Sequence, residues 1–292
     1  METAKTVTGL LRWALRELAT DNKSAVLDAE VLLAHLLQRE RSWLRTWPEE
    51  RIEASVVRRY RKLIRRRASG EPVAYLVGRQ EFWSLPLEVN AATLIPRPET
   101  ELLVELVVGM CRSRPAPLRI ADLGTGCGAI ALAIGKELPQ AKVFATDISK
   151  KALTVARRNR RRLELNNVKF YHGDWCEALG RKKFDIMVAN PPYIEEDSTE
   201  VEESVRTFEP YQALFSGEDG LADLKRIISQ APNHLLPNGT LLVEHGHKQE
   251  DSVAQLMLST GMFSEVGSHY DAAGIPRVGL GRMAEPIDDD LW

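Results

Sequence analysis

The sequence predicts an α/β protein, a doubly wound parallel sheet preceded by a small helical domain. Three observations carry this. From residue 118 onward, short apolar runs of strand length alternate with longer runs at helical spacing, as in parallel strands joined by crossover helices. A glycine loop, Asp122-Leu123-Gly124-Thr125-Gly126-Cys127-Gly128, directly follows the first of those strand runs. Up to residue 70 the apolar residues keep helical spacing and no β pattern appears.

Length and charge agree with two domains. The 292 residues are 44% hydrophobic, enough for one large core or two ordinary ones. No apolar run approaches membrane-span length, and the N-terminus lacks a basic region followed by an apolar one. Cys111, Cys127 and Cys176 are odd in number and suit neither a disulfide framework nor a metal site. A soluble cytoplasmic protein is expected, with no metal. Residues 1–80 hold 16 basic and 10 acidic side chains, and the remainder 23 and 31. A basic front and an acidic back point to different surfaces.

In chain order, Leu10, Leu11, Trp13, Ala14, Leu15 and Leu18 predict a helix over 6–19, and Asp21 to Ser24 breaks it and offers caps. Val26 to Leu37 reads as a second helix, Ser42 to Trp47 as a short apolar piece, and Glu49 to Arg67 as a third helix. The outer face of that helix carries Arg58, Arg59, Arg61, Lys62, Arg65, Arg66 and Arg67. It reads either as a solvated face or as a contact for an acidic partner or RNA. Gly70-Glu71-Pro72 marks a boundary, and Tyr75 to Val89 reads as two short strands. Pro96 and Pro98 hold the next loop extended, with Thr100 as N-cap of a helix over 102–111.

Strands are then expected at 118–123, 142–147, 168–175 with its loop, and 184–189. Helices fall at 129–137 and 150–163 between them. An acidic loop follows residue 194, then a helix near 221–235, a strand at 239–244 and a helix at 249–259. Late strands fall near 263–269 and 278–281, and the tail 285–292 is acidic and loose.

Two motifs carry chemistry. Glycines 124, 126 and 128 let the backbone approach a ligand and open a helix N-terminus toward it. Alone this also fits a dinucleotide site, since Asp147 lies where a ribose-binding acid is expected. Two features favour S-adenosylmethionine. Asp122 ahead of the loop organises it and attracts an ammonium group, but would repel a pyrophosphate. Gly173-Asp174-Trp175 ends the third strand, where a ring can stack on adenine and an acid can accept from its amine; core packing is the plainer reading of Trp175.

The more specific motif is Asn190-Pro191-Pro192-Tyr193 at the end of a strand. Two prolines fix φ and remove two donors, which leaves carbonyls unclaimed. The Asn190 oxygen and a proline carbonyl are then acceptors for a planar –NH2, and Tyr193 is a flat face beside it. Such a nitrogen is a poor nucleophile, so catalysis by positioning is expected. No general base is assigned to His172, His245 or His247. Amide and exocyclic amine substrates both qualify.

At this point the sequence resembles the HemK-like peptide chain release factor glutamine methyltransferases. The likeness runs through Gly70-Glu71-Pro72-Val73-Ala74-Tyr75, Leu94-Ile95-Pro96-Arg97-Pro98-Glu99-Thr100-Glu101, the glycine loop, Gly173-Asp174-Trp175, Asn190-Pro191-Pro192-Tyr193-Ile194, Glu209-Pro210, Asp219-Gly220-Leu221 and Arg277-Val278. It implies a helical substrate-recognition domain at 1–72, a β-hairpin linker at 73–93, and a Rossmann-like, seven-stranded methyltransferase domain at 94–284. It implies methylation of the Gly-Gly-Gln glutamine of bacterial-type release factors, with S-adenosylmethionine as cofactor and no nucleic acid substrate. By position, Asp122, Gly124, Thr125, Gly126, Cys127, Gly128, Asp147 and Trp175 would bind the cofactor. Asn190, Pro191, Pro192 and Tyr193 would hold the glutamine, with Asn190 near both ligands. Cys127 and His245 depart from the family's usual residues. Rival readings are an adenine amino-methyltransferase, a ribosomal-protein glutamine methyltransferase, and a non-enzymatic binding module.

Overall fold

A computed structural model describes residues 5–18, 24–112 and 117–285. The expectations placed on Asp21 and on the tail beyond 285 lie outside those residues. The chain divides into two compact units, 1–79 with 201–208, and 80–200 with 209–292. This differs from the expected boundaries at two places. The first unit extends past residue 72, and it takes back a short segment from beyond residue 94.

In the first unit, α1 (Val7–Glu17), α2 (Ala25–Leu37), α3 (Arg41–Thr46), α4 (Ala54–Ala68) and α5 (Val73–Val77) enclose one apolar core. Thr6 caps α1 by accepting from Gly9 N. Two expectations are corrected here. The third long helix begins at Ala54, because residues 47–53 spend their backbone groups on the start of α1: Val7 N donates to Glu50 O and Ile52 N to Lys5 O. Tyr75 lies on a helix, not a strand. Pro72 fixes the entry to α5, and Gly78 ends it in the left-handed conformation.

Tyr60 on α4 is fully buried, and its hydroxyl donates to Ala29 O on α2 at 3.0 Å. Tyr60→Phe is therefore expected to lower the stability of this unit by about 1 kcal/mol, read as a lower urea midpoint at unchanged m-value. An unchanged midpoint would mean the bond contributes nothing. The returning helix α9 (Glu203–Phe208) brings Phe208 against Gly70.

The second unit opens with a hairpin, β1 (Arg79–Phe82) and β2 (Leu85–Glu88). Its turn residues Trp83 and Ser84 both have positive φ, which tryptophan rarely adopts. Two bonds hold Trp83 there, its N to Glu101 Oε1 at 2.7 Å and its Nε1 to Glu137 Oε1 at 2.9 Å.

The main sheet contains β3 (Arg119–Leu123), β4 (Lys142–Asp147), β5 (Val168–His172), β6 (Phe184–Ala189), β7 (Leu235–Glu244), β8 (Phe263–Tyr270) and β9 (Pro276–Met283). Its order is β5-β4-β3-β6-β7-β9-β8. The helices α6 (Glu101–Cys111), α7 (Ala129–Glu137), α8 (Lys150–Arg162), α10 (Ala222–Gln230) and α11 (Glu250–Ser259) connect the strands. The sheet is mixed, not parallel throughout: β9 runs antiparallel to both β7 and β8. Strand–helix alternation stops after α11, and the short link after Tyr270 allows only a hairpin.

Strand order reverses at β3, between β4 and β6, so the crevice forms at the C-terminal ends of these strands. Register fixes what meets there. Leu123 lies opposite Thr146 on one side and Ala189 on the other. The next residues, Gly124, Asp147 and Asn190, therefore emerge side by side.

Candidate active site

A cavity of about 350 Å³ opens at that crevice, within the size range of small-molecule sites. Among its lining residues are Thr93, Gly124, Gly126, Asp147, Ile148, Trp175, Asn190, Pro192, Phe215 and Arg226. Of the expected cofactor residues, Gly124, Gly126, Asp147, Trp175 and Asn190 therefore line it. Asp122, Thr125, Cys127 and Gly128 do not, and they support the loop from beneath.

Asp122 is fully buried. Its Oδ2 accepts from Thr125 Oγ1 at 2.6 Å and from Ala131 N at 3.1 Å, so it ties the loop to the first turn of α7. Its Oδ1 is buried and accepts from no described group. Burial pushes its carboxyl up to about 7. Cys127 is buried, and its carbonyl accepts from Asn159 Nδ2 at 2.9 Å. Burial pushes its thiol up to about 12, which leaves it inert.

A group whose folded pKa is raised contributes stability below its unfolded pKa and loses it as pH rises through the folded value. The folded chain holds the Asp122 proton up to about 7, whereas an unfolded aspartate releases it near pH 4. Glu244, also pushed up to about 7 by burial, has the same sign. Stability should therefore fall between about pH 5 and about pH 8, and Asp122→Asn should flatten that slope. Urea unfolding at both values tests this; equal slopes would contradict it.

Asp147 ends β4. Its Oδ2 accepts from Gly126 N at 2.8 Å and its Oδ1 from Ser149 N at 2.7 Å. Each oxygen keeps a lone pair for a ligand. Beside it the large apolar side chain of Ile148 is 61% exposed and faces the cavity. Trp175 is half-buried against the core and donates Nε1 to Asp223 Oδ1 at 3.1 Å. Its ring closes over the glycine loop: a Cβ at Gly124 would stand 2.7 Å from Trp175 Cζ3. Trp175 thus packs on the core with one side and walls the cavity with the other. Asp174 lines the cavity beside it, with its Oδ2 paired to Arg226.

Asn190 follows β6. Its Nδ2 donates to Thr100 Oγ1 at 3.0 Å, which leaves Oδ1 as its acceptor. No group among the described residues donates to the Pro191 carbonyl. Tyr193 lies behind this pair, with its hydroxyl donated to Glu244 Oε1 at 3.2 Å and its carbonyl accepting from Gln249 Nε2 at 3.0 Å. Thr100 occupies the N-cap position of α6, as expected, but its side chain makes no capping bond; it ends a 3-10 turn (Pro98–Thr100), and its hydroxyl serves Asn190 instead. The Pro96–Pro98 loop is anchored by Glu209, which accepts from Ile95 N at 3.0 Å and pairs with Arg97.

His245 is fully buried, bonded to Gly246 O, and held below its usual pKa by burial. That is a structural role. Sequence reasoning assigned no role in the site to Thr100, read only as an N-cap, nor to Ile148, Asp223, Arg226 or Glu244. Only Thr100, inside the Pro-Arg-Pro-Glu-Thr-Glu run, carried a sequence signal.

The residues around the cavity fit an adenosyl ligand: acceptors for a ribose diol on Asp147, an apolar wall from Ile148 and Trp175, and a glycine floor with no Cβ. Comparison with known proteins agrees. Residues 9–78 match the PrmC N-terminal domain model and residues 99–212 the methyltransferase small domain model. The release factor glutamine methyltransferase of Pseudomonas aeruginosa is 46% identical over 264 residues, 90% of this chain and 95% of that protein. That of Vibrio cholerae is 42% identical over 279 residues, 95% and 96% of the two chains. This chain belongs to the release factor glutamine methyltransferase family.

The family relationship makes the second unit an S-adenosylmethionine-dependent methyltransferase domain. Its fold is also that of a methyltransferase from Pyrococcus furiosus, with TM-score 0.51, 19% identity and coverage of 69% of this chain and 90% of that one. Among the described residues no helix is long and apolar enough to cross a membrane.

Proposed function

We propose that this protein transfers a methyl group from S-adenosylmethionine to the side-chain amide nitrogen of the glutamine in the Gly-Gly-Gln motif of peptide chain release factors. The observation that carries this is Asn190 Oδ1, left as an acceptor at a cavity fit for the cofactor, with the Pro191 carbonyl, to which no described residue donates, next to it in the chain. Asn190 and Pro191 take the two N–H groups of the amide and hold its nitrogen in one orientation. Pro191 and Pro192 keep the turn rigid, and the Tyr193 ring supports it. The cofactor supplies an electrophilic methyl group on a sulfonium.

An amide nitrogen has a delocalised lone pair, so orientation is the main contribution the protein can make, on the order of 7–11 kcal/mol for well-placed groups. Acceptors on both N–H groups also stabilise positive charge as it develops on nitrogen. No strong general base is needed, because the methylated nitrogen becomes acidic. Asp147, Gly124, Gly126 and Trp175 hold the cofactor, and Asp122, Thr125, Cys127 and Gly128 hold the loop that carries it.

The partners are bacterial-type release factors, and the site of action is the cytoplasm. To test the reading, the protein is incubated with labelled methyl donor and, separately, a purified release factor, ribosomal proteins and an adenine-containing oligonucleotide. Label on the release factor alone is expected. Label on the oligonucleotide alone would keep the –NH2 chemistry and overturn the substrate.

A further inference from the structure

Helix α4 carries six arginines and one lysine and no acid. Burial explains one face of it, since Val57, Tyr60 and Ile64 pack into the core of the first unit. Some of the cations are also accounted for. Arg67 pairs with Asp28 and Arg66 with Glu71. Arg65, Arg66 and Arg67 lie in the last turn, where the helix dipole favours positive charge. Arg58, Arg61 and Lys62 stand further from that end. With Arg65 they have no carboxylate partner among the described residues. Like charges four apart, Arg58 with Lys62 and Arg61 with Arg65, oppose helix formation. Core packing and capping leave that arrangement unexplained.

Arg58, Arg61, Lys62, Arg65, Arg66 and Ser69 line a concave patch of about 490 Å³, wholly within the first unit. Arg58, Lys62 and Arg65 are exposed. Arg61 is held: its guanidinium lies 5.3 Å from the centre of the Trp13 ring, and its Nε is buried with no acceptor. Every lining side chain is a cation or a hydroxyl. A protein partner needs an apolar or aromatic anchor at the centre of its contact, where charges are depleted, and the patch offers none. Single-stranded nucleic acid needs open aromatic faces on which its bases stack. Trp13 has Arg61 over its ring and does not line the patch. A row of closely spaced phosphates remains. From Arg58 to Arg65 the helix advances about 10 Å, and the narrow major groove of A-form RNA brings the phosphates of both strands close to such a row. The chain as a whole carries a net charge of −2, so attraction for a polyanion has to be local.

We propose that α4 binds the phosphate backbone of double-stranded RNA through Arg58, Arg61, Lys62 and Arg65. Phosphate contacts carry no base readout, so the binding is independent of RNA sequence. It is separate from methyl transfer and does not depend on the function proposed above.

The test is fluorescence anisotropy on the full-length protein over a salt series. The probes are a short fluorescein-labelled RNA hairpin, a DNA hairpin of the same sequence and a labelled polyglutamate peptide. Two triple variants are compared with wild type: Arg58→Gln/Lys62→Gln/Arg65→Gln on α4, and Lys151→Gln/Arg157→Gln/Arg161→Gln on α8, which removes three exposed cations elsewhere. Methyl transfer to a purified release factor is measured on all three proteins. The α8 variant should bind the RNA hairpin within about twofold of wild type, and the α4 variant at least about tenfold more weakly. The slope of log Kd against log salt should shrink by about two to three in the α4 variant, roughly one per lost phosphate contact. Its melting temperature should be no lower than wild type, because like-charge repulsion is relieved. Absence of RNA binding by wild type, equal losses in the two triple variants, or equal affinity for the DNA hairpin would overturn the proposal. Tighter binding of polyglutamate than of RNA would overturn it in favour of an acidic protein surface. So would a raised KM for the release factor in the α4 variant with RNA affinity intact.

Discussion

Replacing Asn190 by alanine is expected to lower kcat for methyl transfer by about 10²- to 10³-fold, the loss that follows removal of one fixed polar group aimed at a reacting centre. The substitution removes the side-chain acceptor and leaves the rest of the turn in place. Pro191 keeps its carbonyl, and Tyr193 keeps its bonds to Glu244 and Gln249. Cofactor affinity falls less, because Asp147 and the glycine loop hold each other independently of Asn190. Steady-state kinetics and cofactor calorimetry on the same preparation separate the two effects. A variant that binds cofactor normally and still transfers at the wild-type rate would remove Asn190 from the mechanism.

Gly124→Val acts on the other half of the site. Gly124 has φ +74, where a side chain costs about 1–2 kcal/mol. Its Cβ would also stand 2.7 Å from the Trp175 ring. That ring is not free to swing, since its Nε1 is bonded to Asp223 and its backbone has φ +35. Forcing it aside costs about a further 1–3 kcal/mol and moves the wall of the cavity. The backbone strain should lower the melting temperature, and the displaced wall should raise cofactor Kd by up to about 5- to 140-fold, at 1.4 kcal/mol per factor of ten. Cofactor affinity equal to wild type would show that the Trp175 wall is no part of the cofactor site.

What the sequence revealed depended on how local each signal is. The glycine loop and Asn190-Pro191-Pro192-Tyr193 are legible because glycine and proline restrict the backbone at their own positions. Strand and helix runs are legible because burial imposes a period. Partnerships between distant residues leave no such trace. Thr100 reads as an N-cap from its neighbours, yet its hydroxyl is taken by Asn190, 90 positions away. Asp122 reads as a charge for the ligand, yet the sheet buries it under the loop. Glu244 is one more strand-end acid until the β6–β7 register puts it beside Asn190. The direction of β9 follows from the length of one link, and the return of 201–208 to the first unit from packing that no periodicity encodes.

The central claim is that the crevice orients the glutamine amide of a Gly-Gly-Gln segment. The most direct measurement is tandem mass spectrometry of a purified release factor after reaction with this protein and S-adenosylmethionine, wild type beside a Gly-Gly-Gln to Gly-Gly-Ala variant. The account predicts one added methyl group on the glutamine side chain of that tripeptide, and none on the variant. A methyl group on any other residue, or equal methylation of both proteins, would contradict it.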